Sequence, residues 1–287
     1  MNPLKPWRGV LVATALPWRD GQVDLDLYTE HVRWLTASGC DGVVPNGSLG
    51  EYQVLSPAER EEVVHAAISA GAPVVMPGVA AYGAIEARQW TEKAAEAGCQ
   101  AVMLLPPTAY RADEAAVMAH YREVAQVGLP IVAYNNPFDT KVDLTPALLG
   151  KLHSEGLIVA VKEFSGDVRR GYEIAEQTPG LDLLVGADDV LLELLQAGAV
   201  GWIAGYPNAF PQSCVELYRE RSVDLYRLLH PLLRWDSKTE FVQAIKLSMD
   251  VVGRYGGPCR PPRQPLAAEA VAIIGEATER ALAAGCK

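Results

Sequence analysis

One pattern constrains this chain more than any other. Short runs rich in Val, Ile and Leu recur roughly every 30 residues, each too short for a helix and largely apolar on both faces. They cover 9–15, 41–46, 73–79, 101–106, 130–136, 158–165, 182–187 and 199–205. A strand buried on both sides of a parallel sheet reads this way. Amphipathic segments of helical period lie between the runs. One spans 25–37, a second follows the capping box Ser56-Pro57-Ala58-Glu59, and a third opens at Thr145-Pro146. Gly39, Gly71, Gly98, Gly128, Gly156 and Gly198 each fall between a helical segment and the next strand. A left-handed residue is wanted at such a helix end. Eight strands, most followed by a helix, are expected to close into a (β/α)8 TIM barrel of the α/β class. The first strand ends Thr14-Ala15-Leu16-Pro17, without the glycine-rich turn of a dinucleotide-binding sheet.

After Gly205 the pattern changes. Three helical stretches are expected, at 211–229, 238–252 and 265–284. They give a barrel over 1–208 and a C-terminal three-helix extension over 209–287, packed on the barrel. The link Gly256-Gly-Pro-Cys-Arg-Pro-Pro-Arg reads as a rigid loop before the last helix.

At 287 residues, a single barrel accounts for the whole length, and 49% hydrophobic residues can fill a large core. The net charge of −10 argues against nucleic acid or anionic lipid as a partner. The cysteines, Cys40, Cys99, Cys214, Cys259 and Cys286, are odd in number and widely spaced, against a disulfide framework or zinc knuckle. No apolar run approaches the about 20 residues of a membrane helix, and the N-terminus has no apolar signal core. A cytoplasmic protein is expected.

Active sites of such barrels lie at the C-terminal ends of the strands. Strand six carries Val161-Lys162-Glu163-Phe164, with Lys162 preceded by four apolar residues. A lysine directed into a barrel loses hydration, which favours the neutral amine, a nucleophile toward ketones. A lysine paired with a buried carboxylate is the other reading. Tyr134 ends the adjacent strand, where its hydroxyl is placed to shuttle a proton; a core tyrosine with a bonded hydroxyl is the alternative. Gly47-Ser48-Leu49-Gly50 can offer backbone N–H groups and a hydroxyl to a carboxylate, or be a plain turn. The histidines, His31, His65, His120, His153 and His230, fall in helical segments, away from the strand ends where metal ligands would be wanted. Asp188 and Asp189 stand at a strand end, but acids before a helix are usually caps. No metal and no phosphorylated substrate are expected.

Three motifs carry a family resemblance. Gly47-Ser48-Leu49-Gly50-Glu51, Tyr134-Asn135-Asn136-Pro137 and Val161-Lys162-Glu163 are similar to the G[ST]xGE, YNxP and [IV]K[DE] motifs of the dihydrodipicolinate synthase / N-acetylneuraminate lyase superfamily. Their order and spacing fit, and the resemblance spans nearly the whole chain. It implies that Lys162 forms an imine with a 2-keto acid, typically pyruvate, and that Tyr134 is the acid/base. It places Gly47, Ser48 and the Leu49 backbone at the keto acid's carboxylate, with Ile203 and Gly186 lining the site. No cofactor beyond the covalent lysine imine is implied. The resemblance also implies a homotetramer, a dimer of dimers.

The departures bear on the substrate. Leu49 stands where true dihydrodipicolinate synthases have a second threonine of a hydroxyl relay. Ala109 stands at the place of their strand-four tyrosine, which Tyr110 replaces only with a shift of the loop. Asp139 stands where an arginine pairs with the semialdehyde's carboxylate, so aspartate semialdehyde is a poor substrate, unless Lys141 restores positive charge. The first reading is a Schiff-base lyase or aldolase acting on pyruvate or another 2-keto acid. A second is a dehydratase or deaminase of a keto-deoxy sugar acid or of hydroxypyrroline carboxylate, whose enzymes Lys162-Glu163-Phe164 resembles. A keto-acid-binding paralogue without catalysis and a metal-dependent barrel hydrolase are the readings from other classes.

Overall fold

A computed structural model describes residues 5–287 of the chain. Residues 1–4, which open the expected barrel segment, lie outside the described residues. The strands are β1 (Gly9–Ala13), β2 (Trp18–Arg19), β3 (Gln22–Val23), β4 (Gly42–Val44), β5 (Val102–Leu104), β6 (Ile131–Asn135), β7 (Ala160–Glu163), β8 (Asp182–Val185) and β9 (Gly201–Ala204). The helices of the strand-and-helix alternation are α1 (Leu25–Ala37), α2 (Pro57–Ser69), α3 (Ala84–Glu96), α4 (Glu114–Ala125), α5 (Pro137–Thr140), α6 (Pro146–Ser154), α7 (Arg169–Gln177) and α8 (Leu191–Gln196). They are followed by α9 (Pro211–Glu220), α10 (Val223–Leu233), α11 (Phe241–Val251) and α12 (Ala268–Ala283).

The chain divides into two compact units. The first, Met1–Gly9 with Val74–Ile203, holds five parallel strands in the order β5-β6-β7-β8-β9. Every residue of β5 to β9 is buried, as the apolar runs require. The second, Val10–Pro73 with Ala204–Lys287, contains the parallel pair of β1 and β4, the short hairpin of β2 and β3, and helices α1, α2 and α9 to α12. Asn208 ties its two chain segments together. Its side chain donates to the Ala13 carbonyl at 2.7 Å and accepts from the Ala15 amide at 3.1 Å.

Local signals in the sequence set most element ends. Asp24 caps α1 through the Leu27 amide, and Thr145 caps α6 through the Leu148 amide. Both halves of the Ser56–Glu59 capping box are formed. The six joint glycines all have positive φ, between 71° and 102°.

Two expectations are corrected. The run 73–79 forms only isolated bridging, with Gly78 opposite Met103. The Pro77 carbonyl takes the Met103 amide and the Val79 amide gives to the Met103 carbonyl, both at 3.0 Å, but Pro77 has no N–H to extend the ladder toward the start of the run. The stretch 211–229 is two helices, not one. Arg221 turns left-handed at φ 54° and Ser222 caps the new helix through the Leu225 amide, so four helices follow β9 among the described residues. No helix among the described residues is long and apolar enough to cross a membrane.

Candidate active site

The register of β6 on β7 decides which side chains meet. Tyr134 stands opposite Lys162, and Asn135 opposite Glu163. Side chains alternate along a strand, so the two pairs face opposite sides of the sheet. Asn135 and Glu163 bond to each other, the amide donating at 2.9 Å to a carboxylate that is 1% exposed. Glu163 also accepts from the Ser165 amide at 2.6 Å, and burial pushes its pKa up. The Asn135 side-chain Oδ1 takes the Leu144 amide at 2.9 Å. This face is structural: it locks the end of β6 to the end of β7.

Lys162 and Tyr134 occupy the other face. Both are buried, at 6% and 4% exposure. The Lys162 Nζ lies 4.2 Å from the centre of the Tyr134 ring and 5.7 Å from that of Phe164. Phe164 stands edge-on to Tyr134, their centres 6.1 Å apart. Gly186, just past β8, lies beside Lys162. Its amide donates to the Glu163 carbonyl at 2.9 Å, and a Cβ there would stand 3.0 Å from Lys162 Cγ. Ile203 is buried in β9, which pairs with β8.

Asp139 reaches the pair through Asn136, a residue that sequence reasoning passed over. Asn136 caps α5, and its amide nitrogen donates to Tyr134 Oη at 3.3 Å and to Asp139 Oδ2 at 2.8 Å. An Asn-Pro pair directly after a strand was the available signal, since it marks a cap followed by a first helical turn. Lys141 is exposed and bonds back to the Phe138 carbonyl. Tyr110 is 61% exposed.

The turn of Gly47, Ser48 and Leu49 belongs to the second unit. Ser48 is half-buried and its carbonyl takes the Glu51 amide at 3.1 Å, while the Leu49 side chain is buried. Glu51 proves to be an anchor. Left-handed at φ 51° and 1% exposed, it accepts from Trp18 Nε1 at 2.7 Å, Lys246 Nζ at 3.3 Å and the Arg260 amide at 3.0 Å. Burial pushes the Lys246 pKa down, against the pull of Glu51.

Asp188 is fully buried and accepts from Trp202 Nε1 at 2.8 Å, so it joins β9 to the turn after β8, and the cap position of that turn is Ala187. Among the described residues no group of three or more His, Cys, Asp or Glu side chains is placed to hold a metal ion.

An alternating parallel α/β chain with polar side chains gathered at the strand ends defines a class, the TIM-barrel fold. The comparisons narrow it. Residues 6–280 match the model of the dihydrodipicolinate synthetase family. The chain is 33% identical to a 4-hydroxy-tetrahydrodipicolinate synthase from Methanothrix thermoacetophila, over 92% of this chain and 93% of that one. It is 30% identical to another from Anaeromyxobacter dehalogenans, over 95% and 96%. Among solved structures, dihydrodipicolinate synthase from Aquifex aeolicus superposes with a TM-score of 0.90 at 26% identity, covering 95% of this chain and 98% of that one. YagE from E. coli K12, a member of the dihydrodipicolinic acid synthase family solved with pyruvate, gives 0.88 at 25%, covering 96% and 98%. The chain belongs to the dihydrodipicolinate synthetase family. Its fold is the TIM barrel read from the strand pattern, and it is a lyase.

Proposed function

We propose that this enzyme is a Schiff-base lyase acting on pyruvate or another 2-keto acid, with Lys162 as the imine-forming amine and Tyr134 as the acid/base. The observation that carries the reading is the register that sets Tyr134 opposite Lys162 on adjacent strands, with Nζ 4.2 Å from the ring. The amine adds to the keto carbon, water leaves, and the protonated imine draws electrons from the neighbouring carbon. A proton or a carbon substituent then departs from that carbon, leaving an enamine. Tyr134 Oη exchanges the protons these steps need. The pyruvate bound to YagE supports the choice of keto acid. The chemistry needs no cofactor and no metal, so turnover should survive a chelator.

Asp139 bears on the second reactant. Its exposed carboxylate is fixed by Asn136, which itself bonds to Tyr134. A negative charge so placed disfavours a partner with a distal carboxylate. This supports an aldehyde without a carboxylate over aspartate semialdehyde as the second reactant, and keeps the dehydratase or deaminase of a keto-deoxy sugar acid or hydroxypyrroline carboxylate as the second reading. A cytoplasmic homotetramer is part of the proposal. Exposed Tyr82 and Ile85, with Tyr110 on a loop joined to theirs by the Thr108–Ala81 bond, offer apolar surface that an assembly would cover. Borohydride reduction in the presence of pyruvate, followed by peptide mapping, tests the central claim. The expected product is an adduct on Lys162; no adduct with any 2-keto acid would refute it.

A further inference from the structure

The Asn136 amide has one permitted orientation. Its Oδ1 accepts the Asp139 backbone N–H at 3.2 Å, and its Nδ2 donates to the Asp139 carboxylate at 2.8 Å. Turning the amide over would set nitrogen against an N–H and oxygen against a carboxylate, two repulsive contacts in place of two bonds. The turn around it is braced independently of the Asp139 side chain. The Thr140 hydroxyl shares its one proton between the Asn136 and Val142 carbonyls, at 2.8 and 3.0 Å, and the Lys141 amide closes on the Pro137 carbonyl at 3.2 Å. Asn136 itself is 3% exposed.

The second hydrogen of the same NH2 group is aimed at Tyr134 Oη, 3.3 Å away. With Nδ2 facing it, the hydroxyl can only accept on that side, so its own proton must be given elsewhere. A donor held there also favours the phenolate once that proton has gone.

We propose that Asp139 and Asn136 are positioning residues for the reaction: the Asp139 carboxylate locks the Asn136 amide so that its N–H, never its carbonyl, meets the Tyr134 hydroxyl. Asp139 thus acts on the proton-transfer step through Asn136, in addition to any effect of its charge on substrate choice. This rests on the reading of Lys162 and Tyr134 as the reacting pair.

Imine formation and proton transfer can be read separately with pyruvate alone. Borohydride trapping reports the imine, and exchange of the pyruvate methyl protons in heavy water, followed by NMR, reports proton transfer at the neighbouring carbon. Asn136→Leu and Asp139→Ala should trap pyruvate on Lys162 as the native enzyme does, yet exchange about 10- to 100-fold more slowly, a part of the roughly 10²–10⁴ that acid–base catalysis supplies. Asp139→Asn keeps an oxygen acceptor for the Asn136 amide and should restore exchange to near the native rate. Normal trapping with undiminished exchange in Asn136→Leu would overturn the proposal, as would an Asp139→Asn as slow as Asp139→Ala. Absence of trapping in the native enzyme would refute the Lys162 reading itself, and this proposal with it.

Discussion

Gly186→Ala is the sharpest test of how the site is held. A Cβ at Gly186 would stand 2.5 Å from the Glu163 carbonyl oxygen, 2.8 Å from its carbon and 3.0 Å from Lys162 Cγ. The first two are backbone atoms of β7 and cannot swing aside as a side-chain tip can. Ordinary contact begins at 3.4 Å, so the two backbones must part by 3.4 − 2.5 = 0.9 Å. That strains the bond from the Gly186 amide to the Glu163 carbonyl, now 2.9 Å. Overpacking of this kind costs about 1–3 kcal/mol. A displacement near 1 Å at a reacting group costs roughly 10²-fold in rate. Urea unfolding should therefore show a lowered midpoint, and borohydride trapping with pyruvate should slow about 100-fold. Gly275→Ala is the control. It lies inside α12 with nothing within 4 Å of a Cβ, so the same substitution should stabilise by about 0.5–1 kcal/mol. Native stability and native trapping in Gly186→Ala would refute the claim that backbone spacing at the end of β7 sets the position of Lys162.

The remaining predictions are briefer. Lys162→Ala should abolish the trapped adduct with the fold kept by circular dichroism; loss of folding would make Lys162 structural. Tyr134→Phe should slow turnover roughly 10²–10⁴-fold, and a near-native rate would reassign the proton shuttle. Lys246→Met strands Glu51 as a buried charge and should destabilise by about 3–5 kcal/mol, most of it recovered in the double variant with Glu51→Gln; equal loss in both would refute the pairing. His31 and His120 are pushed down to about 4 by burial, so the folded protein holds them neutral. The unfolded chain takes up their protons below about 6.5, so stability is full above that pH and falls as pH drops toward 4, by up to about 3 kcal/mol for each. Burial raises Glu163 and opposes this trend, so the decisive comparison is that urea midpoints between pH 6.5 and 5 fall less steeply in His120→Gln than in the native protein.

The sequence was legible where the physics is local. A helix end that needs a left-handed residue takes glycine whatever surrounds it, so Gly39, Gly98 and Gly198 could be placed without a structure, as could the caps at Ser56 and Thr145. The strand pattern held for the same reason, because a strand buried on both faces cannot hide its apolar run. Reading failed where the answer lies far along the chain. Pro77 withholds one ladder bond, and whether a strand survives that depends on its neighbour near Met103. Asp188 resembles a cap until Trp202, 14 residues on, claims its carboxylate. Glu51 was visible as part of a motif, but its partner Lys246 lies 195 residues away.

The two buried lysines show how far the apolar context of a residue can be trusted. Lys246 follows Ala244-Ile245 and precedes Leu247, much as Lys162 follows Val159-Ala160-Val161. At 1% exposure Lys246 is the more deeply buried of the two. Burial alone would therefore rank Lys246 above Lys162. What separates them is the company each keeps. The Lys246 ammonium is held by the Glu51 carboxylate at 3.3 Å and also by the Pro258 carbonyl, the arrangement of a structural ion pair. Lys162 lies at the C-terminal end of a parallel strand with its Nζ over the Tyr134 and Phe164 rings, where in the proposed reaction a carbonyl would arrive beside a hydroxyl. A carboxylate partner holds an amine in its charged, unreactive form, whereas a neighbouring phenol can take or return the protons that imine formation releases. The apolar flank identifies lysines removed from water; position on the strand and the residue across the register decide which of them can do chemistry.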